Sequence, residues 1–112
     1  MGRKHLADGT VTTSATETTM YTPSGALVGT IGSATFFNSS ASARILVTVY
    51  GPHAGTGTDG DIVDEFYLEP RRSRVCTRLI NKVCEGSQSH LVSVECDTGS
   101  DVLSYNLDGF EE

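Results

Sequence analysis

Three histidines, three cysteines, a short acidic motif and a run of arginines are the residues of this chain whose types could do chemistry. His5 stands in the leading segment, His53 in a glycine-rich stretch, and His90 beside Ser89. A general base works only with a nucleophile in hydrogen-bond reach, held on an element such as the strand-to-helix elbow of G-x-S-x-G. No such elbow surrounds any of the serines. Paired carboxylates for glycoside cleavage would have to come from Asp64, Glu65 or Glu69, in a chain with no tryptophan to line a sugar cleft. The expectation is a protein that is not an enzyme, with no catalytic residues and no cofactor.

The other groups lead to the same place. Cys76, Cys84 and Cys96 are separated by 7 and 11 residues, whereas a zinc site needs tightly spaced pairs that converge on one ion. His90 could join them across strands, but set among valines the three thiols read as small buried hydrophobes. Asp59-Gly60-Asp61, followed by Asp64 and Glu65, resembles half a calcium loop but lacks the ligand count and the closing Glu of an EF-hand, so an acidic turn and no metal are expected. Arg71-Arg72-Ser73-Arg74 carries planar guanidinium groups able to grip a carboxylate or phosphate bidentately, and equally to pair with acidic groups on a neighbouring subunit.

These groups must be positioned by strands. The clearest is residues 44–50, where Ile45, Val47 and Val49 alternate with Leu46, Thr48 and Tyr50; both faces are apolar, as in a central strand. Residues 26–38 form a glycine-punctuated β-prone run, and the Ser-rich segment 38–42 predicts a turn that makes 26–50 a hairpin. Residues 51–60, with four glycines and a proline, predict a loop. Residues 62–69, 90–96 and 102–110 alternate again, with Gly99 ending one run and Gly109 the other. The segment 74–84 has Val75, Leu79, Ile80 and Val83 near helical spacing, yet its β-branched content and missing cap favour a strand. The Thr-rich runs 9–15 and 18–23 read as an edge strand or an arm in want of a neighbour.

With 112 residues the chain can bury one core, so residues 1–112 are read as a single domain. Counting 14 Thr and 12 Ser, the composition favours strands over helices. The sum is an all-β, two-sheet sandwich of seven or eight strands, with an extended N-terminal arm at 1–13 and a C-terminal tail at 109–112. Eight Lys plus Arg against 14 Asp plus Glu give a net charge of -6, which disfavours nucleic acid as a partner. No apolar run is long enough for a membrane span, and the polar residues after Met1-Gly2-Arg3-Lys4-His5 do not make a secretory leader. The chain is expected to be soluble and made in a cytoplasm. Acidic residues crowd the C-terminal end while arginines cluster at 71–78, a split that suits association with copies of itself.

The opening run from Leu6 to Gly25, containing Gly9-Thr10-Val11-Thr12-Thr13-Ser14-Ala15-Thr16 and then Tyr21-Thr22, resembles the start of small β-sandwich virion proteins of tailed bacteriophages. The turn Asn38-Ser39-Ser40-Ala41-Ser42, the strand end Thr48-Val49-Tyr50 and the closing Gly99-Ser100-Asp101-Val102 to Glu111 are similar to theirs as well. The arginine cluster and the cysteines depart from that pattern. The resemblance implies a jelly-roll or immunoglobulin-like sandwich that decorates or cements the outer surface of a capsid. Tail, fibre or head-to-tail joining proteins are the alternative. Its implied partners are a major capsid protein and copies of itself, as a dimer or trimer, within a virion assembled in the host cytoplasm. The expected inter-subunit contacts are His5, Leu6 and Val11 in the arm, Arg71, Arg72 and Arg74 in the basic cluster, and Phe110 and Glu111 in the tail. A separate reading is a carbohydrate or receptor-binding module that uses Tyr50, His53 and the glycine loop.

Overall fold

The structure, a computed structural model, describes residues 2–98 and 101–112. Met1, Gly99 and Ser100 lie outside the described residues, and with them the first residue of the expected arm, the expected strand end at Gly99 and the start of the closing motif. The described chain is all β: β1 (Lys4–Val11), β2 (Thr18–Tyr21), β3 (Val28–Asn38), β4 (Ile45–His53), β5 (Ile62–Leu68), β6 (Ser73–Val75), β7 (Val83–Glu85), β8 (Leu91–Cys96) and β9 (Leu103–Glu111), with short 3-10 turns at Asp59–Asp61, Thr77–Leu79 and Gly86–Gln88. Two antiparallel sheets pack face to face. One runs β1-β9-β3-β6 with β7 also on β3, and the other runs β2-β8-β4-β5.

The pairing is nested. β1 pairs with β9, β2 with β8, β3 with β6 and β7, and β4 with β5. The chain is thus one long ribbon doubled back at residues 54–61 and rolled until β3 meets β9 and β4 meets β8. That is jelly-roll connectivity, with β6 and β7 as two halves of a single interrupted edge strand. The nine strands therefore occupy eight positions, in keeping with the seven or eight expected.

Alternation explains which side chains meet between the sheets. Along β3 the residues Ile31, Ala34, Phe36 and Asn38 are buried, and Ile45, Val47 and Val49 of β4 face them with Val92 and Val94 of β8. Phe36 and Phe66 bridge the layers with ring centroids 6.0 Å apart. Leu79, on the 3-10 turn between β6 and β7, is fully buried, so the apolar pattern at 74–84 reflects one turn diving into the core between two strand fragments.

The expected hairpin at 26–50 does not form, because β3 and β4 lie in opposite sheets. The reason is Asn38, whose buried side chain donates to the carbonyls of Ala43 and Leu68 and accepts from the Ser40 N–H. Those bonds fold the serine-rich turn over the end of the sandwich and leave both flanks of β3 to β9 and to β6 and β7. The N-terminal segment takes the edge-strand alternative. Residues 4–11 pair with β9 from Lys4 opposite Gly109 to Val11 opposite Leu103, so they are no projecting arm. Residues 109–111 end β9 and Glu112 exchanges two backbone hydrogen bonds with Val28, so no free tail exists there either. Gly51 and Pro52 belong to β4, which shortens the expected glycine loop.

Candidate functional site

The ribbon's tip, residues 54–61, is fastened to the body by one carboxylate. Glu17, on the connection before β2, accepts a hydrogen bond from the Ser93 hydroxyl at 2.6 Å and from His53 Nε2 at 2.8 Å, both on Oε2. Its other oxygen, Oε1, accepts the Gly57 N–H at 2.7 Å. His53 Nδ1 stands 2.8 Å from the Gly51 carbonyl. Both ring nitrogens therefore face oxygen acceptors, a geometry that favours a proton on each and an imidazolium paired with Glu17.

Electrostatics agree with that geometry. For His53, burial works to lower the pKa, but the Gly51 and Glu17 hydrogen bonds and the charges of Glu17 and Asp61 outweigh it and raise it above 6.5. For Glu17, burial works to raise the pKa, and the bonds from Ser93, Gly57 and His53 outweigh it and hold the carboxyl below 4.5. Gly57 can reach Glu17 only because it lacks a side chain: a Cβ there would stand 2.6 Å from Cδ1 of Tyr50. Gly55 sits at a φ of +71°, which is left-handed backbone that glycine adopts without cost.

Above this clamp lies an open cleft of about 480 Å³, walled by Thr16, Glu17, Thr19, Tyr50, Thr56 and Glu95. The Tyr50 hydroxyl donates to Glu95 at 3.3 Å, and burial followed by the Glu95 charge keeps its phenol protonated beyond the usual range. Ser93 is fully buried and donates its hydrogen bond to Glu17, while both His53 nitrogens are engaged elsewhere. Ser93 and His53 converge on Glu17 side by side, unlike the relay in which a serine hands its proton to a histidine.

The expected contact residues fall at two separate places. His5, with Nε2 3.0 Å from Asp8 and Nδ1 3.5 Å from Asp108, and Leu6, at the bulge in β1, lie on one edge of the five-stranded sheet. Val11 on the same strand is 0% exposed, so it belongs to the core and is closed to a partner. Phe110 is 37% exposed on the outer face, opposite Thr30. Glu111 is held internally by the Tyr21 hydroxyl at 2.6 Å and by Lys4 at 2.9 Å. The arginines lie on the opposite edge. Arg71 and Arg72 are exposed on a turn, and Arg74 lies 4.4 Å over the Phe66 ring and 3.9 Å from Asp64.

Asp61 caps its own turn by accepting from the N–H and hydroxyl of Thr58, and among the described residues no group of His, Cys, Asp and Glu is placed to hold a metal ion. Cys76, Cys84 and Cys96 are free and buried, with burial pushing the Cys84 thiol up to about 11. His90 accepts the Glu85 N–H. Sequence reasoning named His53 but passed over Glu17, although a signal was there: Glu17 is the only charged residue from 9 to 43. No family model matches the chain, and neither a curated protein nor a solved structure matches it.

Proposed function

We propose that this chain is a non-enzymatic structural protein of a virus particle, a decoration or cement protein that binds the outer surface of the shell and strengthens it. The observation that carries the reading is the nested, first-with-last strand pairing. A jelly roll closed in this way is a rigid tile, an architecture that recurs in viral capsid domains, and that likeness is an analogy of fold. The strand and turn motifs that resemble those of small phage virion proteins point the same way. So does the polar centre: its groups satisfy one another inside the molecule, which leaves faces and edges, rather than a reactive side chain, as the means of action. Its partners are the major capsid protein and copies of itself, in a virion assembled in the host cytoplasm. Many weak contacts of this kind hold firmly when repeated over a lattice.

Counting copies per purified particle by quantitative mass spectrometry tests the reading. Hundreds of copies are expected, and six or twelve would place the chain in a tail or at a head-to-tail joint. The cleft beside Tyr50 favours a second reading, saccharide binding, because its walls are hydroxyls and carboxylates around one aromatic ring. A blank glycan array removes it.

A further inference from the structure

The molecule's cations are concentrated on one side. Five of its eight Lys and Arg residues lie between 71 and 82, a stretch that runs through β6 and the buried 3-10 turn up to β7, along the edge of the five-stranded sheet. Against β3 this segment extends from Asn38, bonded to Arg71 and Arg72, to Val28, opposite Glu85. Of the five, Arg74 alone has a carboxylate within ion-pair distance among the described residues, and that one is 3.9 Å away. Arg71, Arg72, Arg78 and Lys82 have none, in a chain that carries 14 Asp and Glu.

The same edge carries apolar surface. A groove of about 400 Å³ is lined by Ile62 and Val63 at the start of β5 and by Arg78 and Lys82. Val63 is seated on the bare backbone of Gly51, where a Cβ would come within 2.7 Å of it, so the apolar wall is fixed. Val75 and Val83, on the strand fragments either side of the turn, are 52% and 44% exposed. The turn that bears Arg71 and Arg72 is held in place by two backbone bonds to Asn38, at 2.9 and 3.0 Å. Among the described residues β6 and β7 pair as strands with β3 alone, and on the outer flank of β7 the Glu85 N–H and carbonyl are taken up by His90.

We infer that this edge is a docking surface for an acidic peptide segment of a partner protein, one that interleaves carboxylates with aliphatic side chains. The guanidinium groups and Lys82 take the carboxylates, and the groove between them takes an aliphatic side chain. A nucleic acid fits less well. Its phosphates would have no use for the valines, and beyond this edge only three cations stand against most of the 14 acids, whose field would repel a long polyanion. The inference supplies the chemistry of the contact that the proposed shell binding needs, and rests on that reading only for which protein carries the segment.

The test is fluorescence anisotropy of the full chain with labelled short peptides alternating Glu with Val, Glu with Ser, or Lys with Val. The Glu/Val peptide should bind tightest, should weaken as salt rises, and should lose about tenfold or more in affinity to a chain carrying Arg78→Glu and Lys82→Glu, or the milder Arg78→Gln and Lys82→Gln. Neither side chain has an ion-pair partner among the described residues, so both variants should keep the parent melting temperature. Binding that ignores the substitutions, or equal binding of the Lys/Val peptide, overturns the inference. So does an oligothymidine that competes as well as the peptide. Self-association of the chain that the same substitutions abolish, with no peptide bound, also overturns it and makes a second copy the occupant. A variant that loses the peptide but still coats particles contradicts this surface alone; a chain that binds the peptide but never coats particles contradicts the decoration role alone.

Discussion

Glu17 gathers donors from three separated parts of the chain, Ser93, His53 and Gly57, and so ties the connection before β2 to β8, to the end of β4 and to the ribbon's tip. Its partnership with His53 has a calculable pH signature. His53 is raised above 6.5, so its contribution to stability is whole below that value and is lost as pH climbs through its folded-state pKa. Glu17 is lowered below 4.5, so its contribution is whole above that value and is lost as pH falls through its folded-state pKa. The clamp stabilises most between the two. Glu17→Ala should cost about 3 kcal/mol inside that window, because it leaves a buried imidazolium unpaired. Urea unfolding of parent and variant across pH checks this. The gap should narrow at both ends, and a gap independent of pH would contradict the ion pair.

At the scale of elements, what was legible in the sequence followed the period of two. Ile45, Val47 and Val49, and likewise Val92 and Val94, announced strands that the fold contains, because both depend on local alternation. What was hidden depended on distant partners. Nothing within residues 26–50 reveals that Asn38 will bond Leu68, 30 positions on, and so send β3 and β4 into different sheets. Likewise 74–84 carries a mixed pattern because one interrupted strand shares it with a turn that buries Leu79. The N-terminal run looked needy of a partner, and its partner is β9 of the same chain. Removing residues 1–8 should therefore destabilise the isolated protein, since it uncovers Leu107 behind Ala7 and breaks the Lys4–Glu111 pair. A loss of about 2 kcal/mol or more is expected, read as a lower melting temperature. An unchanged one would mean that β1 is an arm after all.

Taken whole, the molecule is a sandwich 42 × 28 × 20 Å with an internal clamp, a cationic edge and an acidic remainder. Its hydroxyl-rich strands give it weakly apolar faces. On the proposed shell such faces would hold little alone, and repetition would supply the free energy of contact. Charge works in the same direction: on a chain of net charge -6 the basic edge offers one place where an acidic surface is welcome. A protein acting this way changes the strength of what it coats and leaves its chemistry alone. The direct measurement is the temperature at which particles rupture, taken with and without this chain and after purified chain is added back. The account predicts earlier rupture without it and recovery on its return; a rupture temperature that its presence does not move would contradict the role.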